Sequence, residues 1–349
     1  MSQFAGWLAQ RYKVARPLSD YEVAAGFDKL SSFKISKPID QGLIAINSTY
    51  IEYVDRHFDY RGWAAMWGAL MIALVLAFAA GMIWTIWQVQ VGGERVVAQA
   101  EYYAVGFLVL LCLLCAGLAY WMLLGRDIFR YQYYPIRFNR ETGMVHVFIG
   151  GQSRAISVPW KDVYFYIGRD KPVGPDEGHT YDLRGNVMRD GIVIHTFAVG
   201  SDSGDSLGVS LASWEMIKRF MESGPAALPF PPLQLFTSVE PSFRNSFIIH
   251  ISSPGQGMIL LGLPLTFPWA VSRYLTMMLC RKPVWPASVL ADSRSHSGQV
   301  DGLKAPAVFG RVRQGPKAEA MMTYWKESVQ EAKALDADLK TQIYGKAVV

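Results

Sequence analysis

The chain has little charge, little cysteine and none of the short signatures that commonly mark catalysis. Charged residues make up 18% of its 349 residues, below the roughly one quarter of ordinary soluble domains. Of the three cysteines, Cys112 and Cys115 imitate a CxxC redox pair. They lie in an apolar stretch where a thiol does not readily ionise, and no His or further Cys is near enough in sequence for a metal site. They read as packing residues. There is no P-loop, HExxH, GxSxG elbow, or GxGxxG after a strand, so the common enzyme classes that leave such traces are disfavoured. No run alternates Lys or Arg with aromatics and there is no continuous basic tail, which argues against nucleic acid as a partner. The first residues, MSQFAGWLAQRYKVARPL, have too short an apolar stretch and too early a charge for a cleavable signal. The six histidines are scattered. We expect no cofactor, no metal and no enzymatic activity.

What is present begins with two apolar blocks, Trp63 to Trp87 and Tyr102 to Leu124, which contain no charged residue. Each is long enough to cross a bilayer as a helix. The short connection, with Glu94, Arg95 and Glu101, makes them a hairpin that returns the chain to its starting side. Lys34, Lys37, Arg56 and Arg61 precede the first block, and Arg126, Arg130, Arg137 and Arg140 follow the second. By the positive-inside bias both termini are expected in the cytoplasm. Trp63, Trp67, Trp84 and Trp87 mark the ends of the first block, and Tyr102, Tyr103 and Trp121 those of the second, as an aromatic belt requires. The net charge of +5 then reflects topology and anionic lipid.

Five segments follow. Residues 1–62 are cytoplasmic, with a short helix over Ser2 to Lys13 and, from the alternation across Leu43 to Val54, a strand. Residues 63–124 form the hairpin. Residues 125–255 form a β-rich domain: YYPIRFNRETGMVHVF reads as a β-hairpin whose loop uses Gly143, and SRAISVPW, DVYFYIG and IVIHTFAV as further strands. Serines near Leu211 cap a helix through Trp214 and Phe220, ended by Gly224 and Pro225. Residues 256–292 hold a third apolar stretch, but Pro264, Pro268 and Arg273 interrupt it. An interfacial or re-entrant segment is predicted there, with Trp269 at the headgroups and Arg273 beside phosphates, and a buried core helix is the alternative. Residues 293–349 are a linker and an amphipathic C-terminal helix that packs on this chain or on another. The predicted architecture is an α+β membrane protein: a two-helix transmembrane hairpin plus a cytoplasmic antiparallel β-sheet domain with packed helices.

Candidate contact residues concentrate in the stretch Arg169 to Arg189, which reads as an exposed excursion between strands. His179 with Asp176, Glu177 and Asp182 is the densest polar cluster and reads as a solvated loop; Asp202 and Asp205 read as a turn. We single out Arg169, Asp176, Glu177, His179, Arg184 and Arg189 as partner contacts, with Trp325 on the C-terminal helix. Gly106, Ala116 and Gly117 leave a homo-oligomer open, although GxxxG spacing is lacking.

Four stretches, NSTYIEYVDR, PIRFNRETGMVHVF, VPWKDVYFYI and RKPVWP, together resemble an uncharacterised bacterial family of two-span membrane proteins, over about residues 40 to 290. Members are often encoded beside type VI secretion effectors. The matched positions Phe138, Asn139, Arg140, Gly143, Pro159, Trp160 and Trp285 imply shared architecture and carry no catalytic role. The resemblance implies an inner-membrane immunity protein whose cytoplasmic domain binds and neutralises a cognate antibacterial toxin. The alternatives are an effector-associated adaptor or chaperone and a membrane-inserting toxin.

Overall fold

The computed structural model describes residues 3–5, 12–27, 35–93, 95–150, 154–170, 179–201, 204–228, 237–252, 259–293, 302–309 and 316–347. The chain is a mixed α/β protein with antiparallel sheets and two helices long and apolar enough to cross a membrane. It divides into two compact units, each discontinuous in sequence: residues 1–59, 131–240 and 282–349 form the first, and residues 60–130 and 241–281 the second.

The first unit opens with strands β1 (Gln3–Ala5) and β2 (Tyr12–Val14), paired antiparallel with each other. The expected helix over Ser2 to Lys13 is therefore corrected to a strand pair. Helix α1 (Asp20–Ala24) follows, closed by a capping box between Ser19 and Glu22. The segment read as one strand is two, β3 (Leu43–Ile46) and β4 (Tyr50–Tyr53). Between them Asn47 Oδ1 accepts from the N–H groups of Thr49 and Tyr50 at 2.9 and 2.7 Å, an Asx turn that reverses the chain within a run of β-formers. Strands β5 (Ile136–Asn139), β6 (Met144–Gly150) and β7 (Arg154–Pro159) continue the meander. The β5–β6 turn is as expected: Gly143 has φ +64° and Asn139 Oδ1 accepts from Glu141 N at 3.0 Å. Strands β8 (Val163–Asp170), β9 (Thr180–Arg189) and β10 (Ile192–Val199) form a separate three-stranded sheet.

The second unit holds helices α2 (Trp63–Gly92) and α3 (Gln99–Ala119), a π-helical turn Tyr120–Leu124, and α4 (Gly125–Asp127). Both long helices extend beyond the apolar blocks. Only Ala65, Gly68 and Ala79 of α2 and Ala119 of α3 are buried. A side chain at Gly68 would come within 2.9 Å of the Leu124 amide, so small residues set the approach of the hairpin's two arms.

Helix α5 (Leu207–Ser223) returns to the first unit; Ser206 Oγ accepts from Val209 N, placing its cap ahead of the serines expected to provide it. Helices α6 (Phe243–Ser252) and α7 (Ile259–Leu279) belong to the second unit. Pro264 and Pro268 lie inside α7. Arg273 is 1% exposed, so its expected place among lipid phosphates is corrected: it is a buried side chain. Trp269 is partly buried, stacked on His250 at a centroid distance of 3.9 Å. Asp127 caps α2 from a distance, accepting from the N–H groups of Gly62 and Ala65 at 2.9 and 3.3 Å, and its other oxygen lies 3.3 Å from Arg61.

The chain ends in the first unit with α8 (Ala287–Asp292), β11 (Leu303–Lys304), α9 (Pro316–Ala334) and α10 (Asp336–Ala347). β11 joins the main sheet, whose order is β11-β3-β4-β5-β6-β7. The C-terminal helices pack on α5 within this chain: a side chain at Gly208 would lie 1.9 Å from the Ala332 carbonyl. One face of the main sheet sends Ile51, Phe138, Val145 and Val147 into the core with Phe165, Leu183, Phe197 and Trp214. Period-two alternation sends Glu52, Arg137, His146 and Phe148 to the other face. There the segment carrying Trp285, Val289 and Ser293 covers them.

Candidate functional site

Nearly all the described residues of the stretch predicted as an exposed excursion lie on strands β8 and β9, and this changes what those residues do. On β9, Asp182 and Arg184 stand two residues apart and so share one sheet face. Both are buried, as is Arg56 just after β4. The Arg56 guanidinium lies 2.6 Å from the Asp170 carboxylate and 2.9 Å from that of Asp182. Arg184 contacts the same two carboxylates at 2.7 and 2.9 Å. Two cations and two anions thus close a ring. Burial on its own would raise the Asp182 pKa, yet the two guanidinium groups outweigh it and hold the carboxyl below its ordinary range. Burial alone would lower the Arg184 pKa, but the Asp182 carboxylate outweighs it and keeps the guanidinium firmly protonated. Tyr12 lies under the Arg184 guanidinium at 5.0 Å, and burial raises its phenol pKa.

Gly168, opposite Asp182 in the β8–β9 ladder, makes the ring feasible. A Cβ there would sit 2.0 Å from Arg184 Nε; only glycine lets the guanidinium cross β8. A second buried carboxylate lies further along the same face. Glu22 receives Arg16 at 2.6 and 2.8 Å and Asn186 at 3.0 Å. Burial would raise its pKa, but these bonds and those from Ser19 prevail and hold it at about 2.

Beside the ring lies a cavity of about 180 Å³ that shares Tyr12 and Arg56 as lining. Its far wall is β10, where a register irregularity between Val193 and His195 interrupts the ladder. Such bulges re-aim side chains, and here His195 lines the cavity. Burial holds its imidazole pKa down at about 4.

Of the predicted contact residues, the β8–β9 end gathers three. Arg169 is exposed, with its guanidinium 4.8 Å over the Tyr21 ring. His179 places Nδ1 3.0 Å from the Asp170 carbonyl. Arg184 belongs to the ring and is not available as a surface contact. Asp182, read with His179 as part of a solvated loop, is fully buried. Asp176 and Glu177 lie outside the described residues. Arg189 is exposed at the other end of β9, and Trp325 is exposed on α9. The aromatic residues expected at a membrane boundary, Trp63, Trp67, Trp84, Trp87, Tyr102, Tyr103 and Trp121, are all exposed. Among the described residues no three potential metal ligands cluster.

A second polar cluster lies on the outer face of the main sheet and collects the sequence stretches that carried the family resemblance. Glu52, Arg137, His146 and Ser157 are register partners across four strands. Arg137 bonds Glu52 at 2.7 Å and Ser293 at 2.8 Å, between the rings of Tyr50 and Trp285. Trp285 donates to Glu52 at 3.0 Å. His146 Nδ1 meets Ser157 Oγ at 2.8 Å, and burial lowers its pKa to about 4, which makes it a poor general base at neutral pH. Asn139 Nδ2 reaches the Asp292 carbonyl at 2.7 Å.

Tyr12, Arg56 and the pair Gly168 and Asp170 are too far apart in the sequence to be recognised there as parts of one site. The available signal was the pair Asp182 and Arg184 at strand spacing. A family model, DUF6708 (a family of unknown function), matches residues 113–297, more than half of the chain. No curated protein and no solved structure matches.

Proposed function

The chain belongs to the DUF6708 family, and because that family has no known function to lend, we propose from the protein's own chemistry that it is a membrane-anchored binding protein of the bacterial inner membrane. In this reading the hairpin crosses the bilayer, both termini are cytoplasmic, and the β-sheet unit engages a protein partner. The carrying observation is that α2 and α3 leave nearly all their apolar side chains outside the fold, including Leu74, Phe78, Phe107 and Leu114. Surface of this kind is stable in lipid and unfavourable in water. The cation–π contact of Arg126 with Trp121 at 5.4 Å suits a headgroup boundary.

The partner we propose is a cognate antibacterial toxin delivered by a type VI system, which the protein neutralises by occlusion. The exposed side chains Arg169 and Arg189 and the half-buried His179 on the β8–β9 sheet, with exposed Trp325 on α9, are the contacts offered; interfaces favour arginine and tryptophan as anchors. A growth-rescue assay tests the reading: cells expressing a neighbouring toxin should survive when this chain is co-expressed, and the two proteins should co-purify in mild detergent. Arg169→Glu with Trp325→Ala should weaken both. Growth arrest by this chain alone would mark it as a toxin, and a secretion defect without rescue would mark it as an adaptor.

A further inference from the structure

We propose that the cavity between β10 and the β4–β6 end of the main sheet is a binding site for a small uncharged aromatic molecule bearing a single hydrogen-bonding group, of the phenol class. The volume fits such a molecule: the cavity holds about 180 Å³, and roughly 150 Å³ suffices for a benzene ring. Its walls fit an aromatic body. Tyr12, Tyr134 and Phe197 supply rings, and Ile136 and Val147 supply aliphatic surface.

The charges at its edge are already engaged. Arg56 is held by Asp170 and Asp182, and Asp55 accepts from the Tyr134 amide at 2.7 Å. An ionic ligand would have to disrupt these buried contacts and lose its hydration without a new counter-charge. A neutral ring incurs neither cost. The one hydrogen-bonding group answers His195, which the β10 irregularity turns onto the cavity wall. Among the described residues its imidazole makes no hydrogen bond. Neutral imidazole both donates and accepts, so it suits a hydroxyl in either role. The site shares no residue with those assigned to a protein partner.

The test is fluorine NMR on the full-length protein in detergent, with para-fluorophenol, fluorobenzene and para-fluorobenzoate as probes. Saturable binding of para-fluorophenol is expected, with para-fluorobenzoate at least tenfold weaker, on the order of the penalty for an unpaired charge. Ala198→Phe fills the cavity from β10 and should abolish binding; Val147→Phe does so from the opposite wall if the first variant fails to fold. His195→Leu should weaken para-fluorophenol by about fivefold to tenfold, one hydrogen bond's worth, and leave fluorobenzene unchanged. Equal signals from wild type and both filled variants, or benzoate binding as tightly as phenol, would overturn the proposal.

Discussion

Asp182 has no exposed surface and lies between two guanidinium groups, so its value to the fold depends on keeping its charge. In Asp182→Asn the shape survives while Arg56 and Arg184 share one remaining carboxylate. Breaking a buried pair in this way costs about 3–5 kcal/mol. Urea denaturation of the variant should show a clearly lower midpoint, and an unchanged midpoint would contradict the ring. Acid should act through other residues as well. His146 has its pKa lowered from 6.5 to about 4, so between those values the unfolded chain binds a proton that the fold refuses. Stability from this residue is intact above pH 6.5, is lost as pH falls to about 4, and amounts to roughly 3 kcal/mol. Glu22, lowered from 4.5 to about 2, adds a further loss below pH 4.5. A denaturation series from pH 7.5 to 4 should show the slope, and His146→Gln should reduce it without abolishing it, because burial holds His195 at about 4 as well; a variant with the same slope would exclude His146 as a source. The sequence placed His146 in a strand, but its pKa depends on the cover provided by residues near Trp285, more than a hundred positions away.

Turns, strands and helices were legible to different degrees, for local reasons. The β5–β6 hairpin could be read because Asn139 and Gly143 bracket the turn. The β3–β4 turn was hidden inside a continuous run of β-formers, where Asn47 alone provides the signal. Strand β9 looks like a loop in the sequence because Asp182, Arg184 and Asn186 give one of its faces a solvated pattern. They are buried instead, paired with Arg56, Asp170 and Glu22. The C-terminal stripe was visible as amphipathic, and what it covers was decided by packing on α5. Asp336, at the start of α10, accepts from Gly208 N at 2.7 Å and Ser206 Oγ at 3.2 Å, capping α5 from another element. Asp336→Ala should therefore lower stability by about 1 kcal/mol, as lost caps do. Thermal unfolding reads it, and loss of protection in both α5 and the C-terminal helices by hydrogen exchange would show the coupling.

For the whole molecule, the exposed apolar surface of α2 and α3 predicts behaviour in a cell extract. The protein should sediment with membranes, resist alkaline carbonate, and require detergent for release. Recovery in the carbonate-soluble fraction would instead require another cover for these helices. The two apolar helices and the existence of most strands followed from the sequence, since an uninterrupted apolar run and a two-residue alternation are local properties. Tertiary structure decided that the chain makes two discontinuous units, that Arg184 is a core residue and that Arg273 is buried. It also decided that Arg56, Asp170, Asp182 and Arg184 form one ring beside a cavity. The physical reason is that burial and ion pairing depend on distances between residues far apart in the chain, which local pattern and composition do not encode.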